Sequence, residues 1–213
     1  MNDPEELGEQ SPQSFLLMSL ILEMGLGGLA VLLGLLFGPD PRQLVPSGGD
    51  WEGILWGLGL GILASLPLLG VVQILEHLPL EPIRELRRST EEKILQLMLN
   101  LRTVDLLGIS ICAGVGEELL FRGWLLMSFA GPAPQWTAAA LVLPVIASSV
   151  AFGLAHPISP TYIVVTGLIG VYMALLLIWS GNLLVPIAAH GCYDFLQLML
   201  ATRELRKRQR SRV

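Results

Sequence analysis

Three short polar clusters interrupt the apolar C-terminal half of the sequence, and their spacing is what could do chemistry. The first is Glu117-Glu118-Leu119-Leu120-Phe121-Arg122. Glu118 and Arg122 stand at i and i+4, so on a helix they share a face and can pair. That makes them supporting residues, with one carboxylate neutralised. Glu117 points about 100° away around the same helix and has no local partner. An ionisable group at membrane depth costs roughly 2.5 to 3.5 kcal/mol, so an unpaired one requires a reason. Proton abstraction by a general base is such a reason.

The second cluster is Phe152-Gly153-Leu154-Ala155-His156, with Phe152 and His156 one turn apart. A lone histidine at a helix end is more often an interfacial side chain than a catalyst. The third is His190-Gly191-Cys192-Tyr193-Asp194, where Asp194 at i+4 can orient the imidazole or stabilise its cation. Each cluster alone reads as a satisfied buried pair. Together they put a base, imidazoles able to polarise water and donors for an oxyanion on three apolar helices, which is a hydrolase inventory. There is no Gly-x-Ser-x-Gly elbow and no His-Glu-x-x-His, so serine and zincin mechanisms lose their usual signals. A mixed set of Glu117, His156, His190 and Asp194 would suit zinc, although the spacing does not force a metal.

The elements that must position these residues are membrane helices. Of 213 residues, 53% are hydrophobic and 15% charged, against about 25% charged in a soluble domain. The apolar residues fill long runs, and a span needs about 20 of them. Six spans are expected, at about Phe15–Phe37, Glu52–Leu75, Val104–Phe129, Thr137–His156, Tyr162–Trp179 and Leu183–Ala201. Gly38-Pro39-Asp40-Pro41, Gly131-Pro132-Ala133-Pro134, Pro157 and Pro160, and Ser180-Gly181-Asn182 supply the turns. Between spans two and three, Thr90 to Leu101 places Ile94, Leu97, Met98 and Leu101 on one face, which predicts an amphipathic helix on the membrane surface. The fold class is therefore all-α: a polytopic membrane bundle of about six transmembrane helices plus an amphipathic surface helix.

Charge placement supports an even count. Arg84, Arg87, Arg88, Lys93 and Arg102 share one side with the cluster from Arg203 to Arg212, while Arg42 lies on the other. The positive-inside rule then makes both termini cytoplasmic, in a bacterial inner membrane or an organelle membrane. The acidic N-terminus, with Asp3, Glu5, Glu6 and Glu9, lacks the basic region of a secretory signal, so the first span is expected to stay as an anchor. Gly53, Gly57 and Gly61 recur every four residues and predict close packing within the bundle rather than a dimer interface. Cys112 and Cys192 lie inside apolar runs and read as small packing residues.

Glu-Glu-x-x-x-Arg, then Phe-x-x-x-His, then His-x-x-x-Asn or Asp, in this order on successive apolar helices, resembles the CPBP family. These are the CAAX-type and bacteriocin-processing intramembrane proteases, also called Abi proteins, which include the type II CAAX prenyl endopeptidases. The resemblance covers about Val104 to Leu200. It implies a bundle with a polar cavity open to the cytosol, in which an intramembrane endopeptidase hydrolyses peptide bonds of membrane-associated substrates. By that resemblance Glu117 is the general base and His156 positions the attacking water. His190 and Asp194 stabilise the oxyanion, and Glu118 and Arg122 hold the site together. Family members are often labelled metalloproteases, which keeps a zinc-dependent version open. An ionised Asp194 cannot donate to an oxyanion as Asn would, so its expected role is to hold His190 as the cationic donor. The alternative function is a non-catalytic scaffold or immunity factor that binds peptides in the same cavity. A transporter is a distant third, because the polar groups cluster rather than line a path. The expected organisation is an acidic cytoplasmic N-terminus at 1–14, two spans and a basic amphipathic loop at 15–103, a catalytic four-helix region at 104–201, and a basic tail at 202–213. Membrane lipids and a peptide or membrane-protein substrate are the expected partners; nucleic acid is not. Oligomeric state cannot be read.

Overall fold

The computed structural model describes residues 11–91, 98–131 and 137–211. Among them all regular structure is helical. Helix α1 (Pro12–Phe37) begins where the Ser11 hydroxyl accepts from the Ser14 amide, with Pro12 in the first turn, and stops at Gly38 with φ 57°. Helix α2 (Trp51–Glu76) is capped by the Asp50 carboxylate on the Gly53 amide. The short α3 (Glu81–Thr90) buries Ile83. Helix α4 (Thr103–Glu118) carries on without a break through π-helical turns at Leu119–Leu126 into α5 (Met127–Ala130). Then follow α6 (Ala138–Leu154), α7 (Pro160–Ser180) and α8 (Leu184–Arg210).

The six expected spans correspond to six long helical stretches, and four of these (α1, α2, α7 and α8) are long and apolar enough to cross a membrane. The other two carry the reason in their sequences. The α4–α5 stretch contains Glu117, Glu118 and Arg122 and is rewound by its π turns, while α6 has only 17 residues. The result is an all-α membrane bundle, with α1 and α2 turning leucines such as Leu17, Leu35, Leu55 and Leu63 outward as lipid-facing surface.

One boundary differs from expectation. The last helix does not give way to a tail at Ala201 but continues to Arg210. Side chains hold the extension: Arg206 donates to the carbonyls of Leu99 and Leu101, and Arg208 pairs with Glu91 at 3.1 Å. The amphipathic helix expected from Thr90 to Leu101 falls largely on residues 92–97, outside the described residues. Its flanks are described. Met98 and Leu101 are buried with Leu106 and Ile109, and the upstream helix α3 was not anticipated. The turn at 132–136 also lies outside the described residues.

Close helix contacts place the polar clusters. Helix α8 packs on both α2 and α4, α6 packs on α7, and α1 packs on α4. Gly57 and Gly61 face α8, where a Cβ would overlap Asn182 and Val185–Ala189, so these glycines serve packing within the bundle. At Gly116 a Cβ would overlap the carbonyl oxygen of Glu23, so α1 lies directly on the residue before Glu117.

Candidate active site

The π turns follow directly after Glu117 and Glu118, and such insertions concentrate at functional sites. Glu118 and Arg122 are both wholly buried, and Arg122 Nη1 donates to Glu118 Oε1 at 2.7 Å. The guanidinium is further tied by Nη2 to the Gly170 carbonyl at 3.1 Å, and it lies 4.2 Å above the Phe152 ring centroid. Phe152 is thus the floor on which the cation rests. It also meets Phe121 edge-on at 5.2 Å and His190 at 5.8 Å.

Glu118 does more than pair within its own helix. Its Oε1 also accepts from His190 Nδ1 at 2.9 Å, joining α4 to α8. His190 Nε2 in turn faces Asp194 Oδ2 at 3.4 Å. Both ring nitrogens therefore face carboxylate oxygens, an arrangement that an imidazolium satisfies with two donors. Glu118 grips one side tightly, while Asp194 holds the other loosely.

Glu117 is 6% exposed, and its Oε2 has no hydrogen-bond partner. That oxygen stands 3.6 Å from His156 Nε2, too far for a direct hydrogen bond. His156 Nδ1 donates to the Phe152 carbonyl at 2.8 Å, which leaves Nε2 aimed at Glu117. A water bridging the two atoms would lie about 2.8 Å from each. The sequence clusters on α4, α6 and α8 thus meet in one place, with Glu117 and His156 forming one couple and Glu118, Arg122, His190 and Asp194 the other.

Both couples open onto one cavity of about 450 Å³. Glu117, His156, His190 and Asp194 line its inner end, and Arg87, Glu91, Glu204 and Arg208 line it where α3 meets the end of α8. A further lining residue was not singled out from sequence: Glu23 on α1. The signal was present, because Glu23 is an ionisable residue inside the first apolar run and belongs to none of the three motifs.

Among the described residues, no three His, Cys, Asp or Glu side chains converge so as to hold a metal ion. His190 has both nitrogens turned to carboxylates, whereas His156 holds its Nδ1 on a backbone carbonyl and keeps Nε2 free.

Residues 99–196 match the sequence profile of the type II CAAX prenyl endopeptidase Rce1-like family. The chain carries an Rce1-like segment. No curated protein and no solved structure matches it. The Rce1-like segment contains Glu117, Glu118, Arg122, Phe152, His156, His190 and Asp194, while α1, α2 and α3, and with them Glu23, lie outside it.

Proposed function

We propose that the protein is an intramembrane endopeptidase that hydrolyses peptide bonds of membrane-associated substrates with a water activated by Glu117. The observation that carries this reading is the pair formed by Glu117 Oε2 and His156 Nε2, 3.6 Å apart on the wall of a substrate-sized cavity. Glu117 takes a proton from the water as its oxygen adds to the scissile carbonyl carbon. The carbonyl oxygen gains the negative charge and is met by His190 Nε2, which turns from its loose contact with Asp194. Collapse of the tetrahedral species breaks the C–N bond, and Glu117 returns the proton to the departing amine. Glu118 keeps His190 tethered through Nδ1 as the ring turns, and Arg122 keeps Glu118 in place.

The cavity reaches the basic side of the bundle, where Arg87 and Arg208 stand. With both termini on that side, substrates enter from the cytoplasm. The decisive experiment is cleavage of a membrane-embedded peptide library by the purified protein in lipid, comparing wild type with Glu117→Gln. A scaffold would bind the same peptides in both forms and cut none.

Two further outcomes separate roles within the site. Asp194→Asn keeps at least about a tenth of wild-type turnover at neutral pH, because Glu118 still holds His190 and the amide can itself donate to the oxyanion. A folded but inactive Asp194→Asn protein would remove Asp194 from a merely supporting role. Strong chelators leave the cleavage rate unchanged, since no step needs a bound ion; loss on chelation that zinc restores would replace the water-activation scheme above.

A further inference from the structure

Glu23 is the one ionisable residue of α1. Its chain neighbours Leu22 and Met24 face outward, whereas Glu23 is half-buried and turned to the cavity. Its backbone is pinned where Gly116 leaves room, and one turn on Gly27 sits close to the Gly116 Cα. The Glu23 carboxylate therefore belongs to the same inner end as Glu117, and its Oε2 is buried without a hydrogen-bond partner. Glu117, which lines the same cavity, is itself more than nine-tenths buried, and its own Oε2 has no hydrogen-bond partner.

Charge is unbalanced there. Three carboxylates, those of Glu23, Glu117 and Asp194, line the inner end beside the two imidazoles of His156 and His190. With all three ionised, one carboxylate is in excess even when both rings are protonated. Arg122 does not correct this, because it is matched to the fourth carboxylate, Glu118. The opposite end is balanced, with Arg87 and Arg208 alongside Glu91 and Glu204. An excess carboxylate in a low-dielectric cavity attracts a cation strongly. A peptide bound with its scissile carbonyl at Glu117 offers one if it carries a basic side chain. Residues of an extended chain advance about 3.3 Å each, so a residue within two positions of the cut lies within about 7 Å of it along the chain.

We propose that Glu23 determines specificity by receiving a lysine or arginine side chain of the substrate within two residues of the bond that is cut. This rests on the endopeptidase reading for the identity of that bond, but its charge preference can be tested without hydrolysis. The probes are membrane-embedded peptides in phosphatidylcholine nanodiscs, paired so that one residue is lysine in one twin and norleucine in the other, with that position stepped along the sequence. Affinity is measured for Glu117→Gln and for Glu117→Gln with Glu23→Gln.

At one or two adjacent positions the lysine twin binds about ten- to a hundredfold more tightly, and Glu23→Gln brings that ratio close to one. Glu23→Asp, which keeps the charge, keeps a ratio well above one and shows that folding is intact. Equal affinity of the twins at every position in the Glu117→Gln protein overturns the proposal. So does a lysine preference that survives Glu23→Gln, or a Glu23→Gln effect that weakens both twins alike. If the lysine preference depends on Glu23 but the wild-type protein cuts no peptide, the charge-reading role stands and the endopeptidase reading alone fails.

Discussion

Glu117→Gln leaves the bundle folded and lowers peptide hydrolysis by about 10²- to 10⁴-fold, the range a positioned general base contributes. The substitution is nearly isosteric, and the oxygen it alters has no hydrogen-bond partner to lose. On the proposed mechanism, what disappears is the ability to take a proton from a water beside His156 Nε2. Turnover of a reporter peptide in nanodiscs, with a thermal melt as the folding control, makes the comparison. A Glu117→Gln protein that cuts at the wild-type rate would show that another group activates the water, and His156 would become the candidate. His156→Ala should cost less than Glu117→Gln, because it removes a group that positions the water rather than the one that accepts its proton.

The second large effect is on stability. Arg122→Met takes away the guanidinium partner of Glu118 and leaves that buried carboxylate with the His190 ring alone, since both members of the pair are wholly buried and joined at 2.7 Å. Removing one partner of such a pair costs about 3–5 kcal/mol. The double change Glu118→Leu with Arg122→Met removes both charges and should recover most of that loss. Activity should not recover with it, because His190 Nδ1 then has no acceptor on α4 and the ring is free to turn. Chemical unfolding in mild detergent reads the first quantity, and turnover reads the second. If Arg122→Met unfolds at the same denaturant concentration as the parent, the ion pair is not what holds α4, α6 and α8 together at this level. If the double variant regains activity along with stability, Glu118 serves packing and does not orient His190.

Small residues of the bundle set how closely the backbones that carry these side chains approach. Gly114 sits against the backbone of Ile187 and Gly191, where a Cβ would clash, and Gly170 makes room for Arg122 Nη2 and Ser149. Gly153 packs in the same way on Ile163 and Gly167. Each site brings two backbones close enough for side chains of ordinary length to meet across helices, which lipid-driven packing alone does not achieve.

Sequence by itself determined the membrane as solvent, the helical class, and the residues that had to be explained. Long apolar runs admit only a few outcomes, because backbone polar groups in lipid must be satisfied within the helix. The i, i+4 spacing of Glu118 with Arg122 and of His190 with Asp194 is likewise a local property, set by 3.6 residues per turn. Tertiary structure alone decided which groups meet across helices. The bond from His190 to Glu118 spans 72 positions in the chain, and nothing in the periodicity of α4 or α8 ranks that partner above another. The π turns at Leu119–Leu126, the continuation of α8 to Arg210 and the turning of Glu23 into the cavity depend equally on neighbours distant in sequence. Periodicity reports which face of a helix is apolar. Which helix lies against that face, and at what height, is set by backbone approach at the glycines and by pairing of buried charges, and both exist only once the bundle has closed.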